Sequence, residues 1–165
     1  MDVGSFRDAL SQWASGVTVV TTAFDGLRHG MTASSFSGVA LDPPLVSVCL
    51  TTAGATHRMI EHSGVFAVSI LGHDHGPVGR HFAGVRNGHP DGAGRFSTGR
   101  WETAGTGSPV LGDAVGWFDC RVAQTHAAGD HTIVLGEVLT VGTPRNAPPL
   151  IYHARLFHDQ GVLHC

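Results

Sequence analysis

The stretch Thr51-Thr52-Ala53-Gly54-Ala55-Thr56-His57-Arg58 holds the residues best suited to take an anion. It runs from the end of an apolar segment into a helix start, where unpaired N–H groups and the helix dipole favour negative charge. A phosphate fits there. So does a plainer arrangement in which Thr56 caps the helix and Arg58 is a solvated charge, and the two are compatible because capping uses one hydroxyl while phosphate binding uses N–H groups. Thr32, Ala33, Ser34 and Ser35 form a second polar run. They offer small side chains, hydroxyls and approachable backbone N–H groups, or they are an ordinary Thr/Ser-rich strand on a solvated face.

Other chemistries find less support. Of the 12 histidines, the nearest clusters are His73-Asp74-His75 and His126 with His131. Neither has the Cys or third His of a dedicated zinc site, so they are read as loop or exposed histidines and no metal is expected. Cys49 has no base beside it in sequence. No Gly-x-Gly-x-x-Gly stands between a strand and a helix, which argues against a separate dinucleotide-binding domain.

The elements that must position these residues follow from pattern. Phe6, Ala9, Leu10 and Trp13 recur at helical spacing after Ser5, a suitable N-cap, which predicts a short helix ending near Gly16. Val17 to Thr22 is a β-branched run, Asp25-Gly26 a turn, and Met31 to Leu41 the returning strand of a hairpin. Asp42-Pro43-Pro44 stops that strand before the next, Leu45 to Leu50. A helix over Thr56 to Ser63 with Gly64 at its end precedes the strand Val65 to Leu71, and His75 to Phe82 forms a third helix. Val85 to Ser108 is rich in Gly, with Phe96 and Trp101 as its anchors. It reads as a long mobile loop able to cover a site. Trp117 to Thr125 and His131 to Val141 make two long strands joined at Gly129-Asp130, and Leu150 to Phe157 the last strand. About seven strands and three short helices predict a mainly β, closed or nearly closed barrel.

Composition bounds the rest. The 165 residues are one domain, 1–165, with 42% hydrophobic and 14% charged residues, a balance that excludes a disordered chain. All 10 basic residues are Arg and the net charge is −3, which disfavours a nucleic-acid-binding face. Three cysteines, Cys49, Cys120 and Cys165, are too few for a disulfide framework, and no apolar run is long enough to span a bilayer. With no signal peptide in view, the expected location is cytoplasmic.

A family resemblance adds to this reading. Phe6-Arg7, Ser15 to Thr22, Gly30-Met31-Thr32-Ala33-Ser34-Ser35-Phe36, Leu41 to Val46, Ser63 to Leu71, Phe82-Ala83, Arg95-Phe96, Trp101, Gly107 to Leu111, Cys120, Gly129-Asp130-His131, Gly136-Glu137-Val138 and Pro149 to Tyr152 stand in order along the chain. Together they resemble the flavin reductase family, the small components of two-component flavin monooxygenases. The resemblance implies a homodimeric FMN-binding split β-barrel of Greek-key type. It also implies hydride transfer from NADH, in preference to NADPH, to FMN or else FAD, with reduced flavin passed to a partner monooxygenase. Met31, Thr32, Ala33, Ser34 and Ser35 would hold the flavin, as would Ser47, Val48 and Cys49 on the strand lining its ring, with Cys49 as small packing. Thr51, Thr52, Ala53, Thr56 and Arg58 would hold its phosphate. Phe82 and Ala83 complete the flavin set and, with the loop to Trp101, form a candidate lid over one groove shared by both substrates. Phe82 and Trp101 are equally readable as core. His131 and Trp101 would place NADH. No catalytic acid or base is expected, because hydride transfer needs only stacked rings and exclusion of water. The same barrel suits an electron-transfer protein or an oxidase of the pyridoxamine-phosphate oxidase type with tightly held FMN, or a dimeric scaffold without activity.

Overall fold

The structure, a computed structural model, describes residues 1–83 and 93–158. In chain order the elements are α1 (Val3–Ser11), β1 (Ser15–Gly16), β2 (Thr18–Phe24), β3 (Leu27–Ala33), β4 (Ser37–Leu41), β5 (Pro44–Thr51), α2 (Ala55–Ser63) and β6 (Val65–Ile70). There follow α3 (Gly76–Ala83), β7 (Trp101–Thr103), β8 (Pro109–Leu111), β9 (Gly116–Ala128), β10 (His131–Gly142), β11 (Ile151–His153) and β12 (Leu156–His158). The main sheet has seven antiparallel strands in the order β3-β2-β6-β9-β10-β5-β4.

The pleat of β2 explains how the sheet is covered on both faces. Val20 points into the barrel with Val48, Leu50, Phe66, Val68 and Val134. Its neighbour Val19 points outward into a second core with Leu71, Phe82, Leu111 and Leu150. The buried threonines of the same strand are satisfied locally: Thr18 donates to the Ala33 carbonyl at 2.8 Å, Thr22 to that of Val65 at 2.8 Å, and Thr21 to that of Pro109.

The barrel closes through a side chain. Ser37 pairs with Ser47, so the β4–β5 register places residue 35 opposite residue 49. The chain has left strand geometry by then, and Ser35 Oγ takes the place of the missing backbone, accepting the Cys49 N–H at 3.0 Å and donating to the Cys49 carbonyl at 3.1 Å. The result is a mainly β barrel whose sheet has β3 and β4 as its edge strands, tied at the seam where Ser35 meets β5.

Several sequence expectations are corrected. The cap of α1 is Asp2, whose carboxylate accepts the Ser5 N–H at 3.0 Å, so the helix starts earlier than Ser5 predicts. The run Met31 to Leu41 is two strands, broken at Ser34 to Phe36. Gly54 is the N-cap of α2, because the Thr56 hydroxyl is taken by His29 Nδ1 at 2.7 Å. The expected loop Val85 to Ser108 lies outside the described residues up to 92. From 93 it is ordered by a 3-10 turn, Ala93–Ser97, and the β7–β8 ladder. Leu150 to Phe157 is two short strands, because Ala154 and Arg155, at φ 49° and 65°, turn the chain between them. Left-handed backbone costs a non-glycine residue roughly 1–2 kcal/mol, so this turn is held by its surroundings.

Candidate functional site

One face of the barrel carries a groove made of three adjoining cavities of about 590, 200 and 480 Å³. Tyr152 of β11 lines all three, Ser34 joins the first two, and Ala83 and Phe157 join the last two. The large cavity also takes Arg7, Leu10 and Trp13 from the N-terminal segment, Ser35 from the seam and His131 from the head of β10. Apolar rings and small hydroxyls around a slot of this size suit a planar heteroaromatic ligand with a polar edge.

His131 owes its place to the β9–β10 hairpin. Gly129, at φ 65°, supplies the left-handed residue of the turn, and His131 then pairs across the ladder with Thr51. Asp130 Oδ1 lies 2.7 Å from His131 Nδ1 and Thr51 Oγ1 lies 3.4 Å from Nε2. The carboxylate accepts the Nδ1–H, which leaves Nε2 directed to the end of β5, and the same contact holds the Asp130 carboxyl below its usual range.

The turn after β5 meets this hairpin. Thr52 donates its backbone N–H to the Asp130 carbonyl at 3.0 Å, and its hydroxyl lies 3.3 Å from that of Thr132. Thr51, Thr52 and Ala53 are exposed here. Arg58 folds back so that its guanidinium donates to the Ala53 carbonyl at 2.6 Å. Thr56 is buried and committed to His29, whose imidazole is pushed down to about 4 by burial and by the charges of Arg95 and Arg58.

The other expected residues divide by strand face. Thr32, Ser34, Ser35 and Ala83 line the groove, although the Thr32 hydroxyl is already spent on the Gly79 carbonyl at 2.6 Å. Ala33 and Val48 point into the barrel core, so these two can meet a ligand only through backbone, while Met31 is packed against the core but only half-buried. Ser47 and Cys49 sit half-buried on the opposite side of β5 from Val48. Phe82 is fully buried, its ring edge-to-face with Phe96 at 5.4 Å and tilted against Trp101 at 5.1 Å, and Trp101 donates its indole N–H to the Thr98 carbonyl at 2.8 Å. Phe82 is thus core, as its alternative reading had it, whereas Trp101 is packed on it but half-buried.

Sequence reasoning missed Arg7, Trp13, Tyr152, Arg155 and Phe157 as walls of the groove. A signal existed for α1: Arg7, Leu10 and Ser11 follow the i, i+3, i+4 spacing of a helix face. Among the described residues no group of three or more His, Cys, Asp or Glu stands together to hold a metal. Asp74 is paired with Arg145, His75 Nδ1 accepts the Gly72 N–H at 3.1 Å, and His126 lies 3.2 Å from Gln124. Burial and Asp119 push the Cys120 thiol up to about 12, which removes it as a nucleophile.

Comparison with known proteins agrees with this geometry. A family profile described as flavin reductase like domain matches residues 10–161. The chain is 43% identical over 159 residues to the NADH:riboflavin 5'-phosphate oxidoreductase of Streptomyces pristinaespiralis, covering 93% of this chain and 86% of that one. It is 33% identical over 153 residues to the flavin-dependent monooxygenase reductase subunit HsaB of Rhodococcus jostii, covering 93% and 75%. The crystal structure of BorF, the flavin reductase component of a bacterial two-component tryptophan halogenase, superposes with a TM-score of 0.86 at 37% identity over 94% of this chain and 96% of that one. With the profile spanning nearly the whole barrel and the split-sheet fold shared at this level, the chain belongs to the flavin reductase like domain family.

Proposed function

We propose that this protein is an NADH-dependent flavin reductase acting on FMN, or else FAD, and supplying reduced flavin to a partner monooxygenase. The observation that carries this reading is the meeting of Ser34, Ser35, Tyr152 and His131 on one large groove. A bound flavin would supply the hydride-accepting ring. The chain's own part is to bind and orient. Ser34 leaves the groove wall low enough for a flat ring system, with Tyr152 as an apolar side wall. Thr51, Thr52 and Ala53, exposed beside the start of α2, favour the flavin phosphate. His131, fixed by donating Nδ1–H to Asp130, leaves Nε2 as an acceptor for the carboxamide N–H of NADH. Shared positioning of two rings requires no protein acid or base.

The groove is also the reason to propose a homodimer. Phe6, Leu10 and Trp13 of the N-terminal segment are exposed, Trp13 to 76%, and Leu10 and Trp13 line the same cavity. A second copy of the single 1–165 domain would cover them and complete the wall. No helix among the described residues is long and apolar enough to cross a membrane, and a cytoplasmic location fits the proposed role. NADH oxidation measured with FMN, FAD and riboflavin in turn tests the reading, with light scattering for the dimer. Activity with FMN well above riboflavin supports a phosphate subsite, and equal activity with all three removes it.

A further inference from the structure

Positioning two rings does not use the groove's cationic rim. Arg7 of α1 and Arg155 of the β11–β12 turn line the cavity of about 590 Å³, and Arg155 with Arg80 of α3 lines the adjoining one of about 480 Å³. Among the described residues lining the three cavities none is acidic. Three arginines from three elements thus converge on one groove.

The backbone singles out Arg155. It is the second residue of a two-residue hairpin turn in which both residues, Ala154 and Arg155, have positive φ, at 49° and 65°. That geometry prefers glycine at the second place. Any side chain there strains the backbone through its Cβ. It is held because Ala154 donates its N–H to the Ser11 carbonyl at 2.8 Å and the guanidinium pairs with Asp8 on α1. Strain of this kind at the mouth of a groove points to a side chain wanted for what it binds. The Asp8 pair is exposed, 58% for Arg155 and 71% for Asp8, so an incoming anion can displace the carboxylate without breaking into a core.

We propose that Arg155, flanked by Arg7 and Arg80, binds the pyrophosphate of an adenine dinucleotide, the one carried by NADH when its nicotinamide lies beside the flavin. This rests on the reductase reading above. A guanidinium fork matches adjacent phosphate oxygens in a way His131 alone cannot, and three such groups suit the two charges of a pyrophosphate better than a neutral ribityl chain.

The test is Arg155→Gly, which removes the guanidinium and installs the residue that the turn prefers, so the melting temperature should hold or rise. The KM for NADH should increase about ten- to a hundredfold, with kcat within about twofold and the KM for FMN unchanged. Arg155→Lys should recover part of the loss. Calorimetric titration of the flavin-free protein with ADP gives a readout without turnover: ADP binding should weaken in Arg155→Gly, while adenosine binds the two proteins alike. A rise in the KM for FAD with none for NADH would keep the pyrophosphate site and assign it to the flavin dinucleotide. Unchanged KM for both dinucleotides together with unchanged ADP binding would overturn the proposal. Failure of the parent protein to oxidise NADH at all would remove the reductase reading, and the ADP titration would still decide the anion site.

Discussion

Ser34 and Ser35 are neighbours in sequence with opposite duties, and exchanging them separately should show it. Ser35 Oγ makes two hydrogen bonds to the Cys49 backbone, at 3.0 and 3.1 Å, where the β4 ladder has ended. Each is worth about 1 kcal/mol net, and the half-buried Cys49 N–H would be left without its acceptor. Ser35→Ala should therefore cost about 2–3 kcal/mol, which for a chain of this size lowers the melting temperature by roughly 4–12 °C. Ser34 is exposed and, among the described residues, no side-chain hydrogen bond ties it down, so Ser34→Leu should change stability by no more than about 0.5 kcal/mol. Ser34 nevertheless lines both the 590 and the 200 Å³ cavities, and the added branched carbons would stand where a ring must lie. An overpacking cost of about 1–3 kcal/mol predicts a five- to 150-fold weaker flavin complex. Thermal melts and flavin-fluorescence titrations of the two single variants decide the matter. If Ser34→Leu binds FMN as tightly as the parent, the break between β3 and β4 does not face the flavin. If Ser35→Ala keeps its melting temperature and loses flavin, the seam argument is wrong.

Three further outcomes are expected. His131→Ala should raise the KM for NADH about two- to a hundredfold, the range for one lost ligand hydrogen bond, and change flavin affinity much less; loss of flavin binding with NADH kinetics intact would reverse the assignment. His29 stays neutral in the native state down to about pH 4 while an unfolded histidine protonates near 6.5. The unfolded chain therefore binds the extra proton between those values, and stability should fall on acidification from pH 6.5 to 4 by about 1–2 kcal/mol, allowing for partial access of water to the ring. Denaturant melts of His29→Gln should show a flatter decline over that window, and an identical decline would contradict the assignment. In Gly136→Ala, the new Cβ would overlap the Phe66 ring and lie 3.0 Å from Cys120 Cβ, both fully buried. Chemical denaturation should show a loss of about 1–3 kcal/mol, and an unchanged midpoint would mean that the barrel core gives way more easily than its packing implies.

The parts of this fold that were legible in sequence are those fixed by neighbours along the chain. Asp25-Gly26 and Gly129-Asp130 mark the two hairpins because left-handed turn positions demand such residues, and the structure places Asp25, Gly26 and Gly129 at positive φ. The β-branched run of β2 likewise declares a strand. Where two local solutions compete, the sequence does not choose: Asp2 and Ser5 are both good caps, and the contact between them makes Asp2 the cap and Ser5 a first-turn residue. The groove was less legible because Arg7, Ser34, His131 and Tyr152 come from α1, the β3–β4 break, β10 and β11 and meet only in the tertiary fold. Phe82 illustrates the converse. Its partners Phe96 and Trp101 arrive through space from beyond α3, so a ring that reads as a lid by its place in sequence is core by its contacts. Thr56 is another such case, a helix-start hydroxyl claimed by His29 of β3, a strand against which α2 packs.

The central claim is that the groove brings a nicotinamide and a flavin together for hydride transfer. It is tested most directly by stopped-flow measurement, under anaerobic conditions, of flavin bleaching when NADH is mixed with the purified protein and FMN. Saturable reduction of stoichiometric FMN by NADH, dependent on the protein and slowed by Ser34→Leu, is the predicted result. Flavin that binds and stays oxidised in the presence of NADH would contradict it.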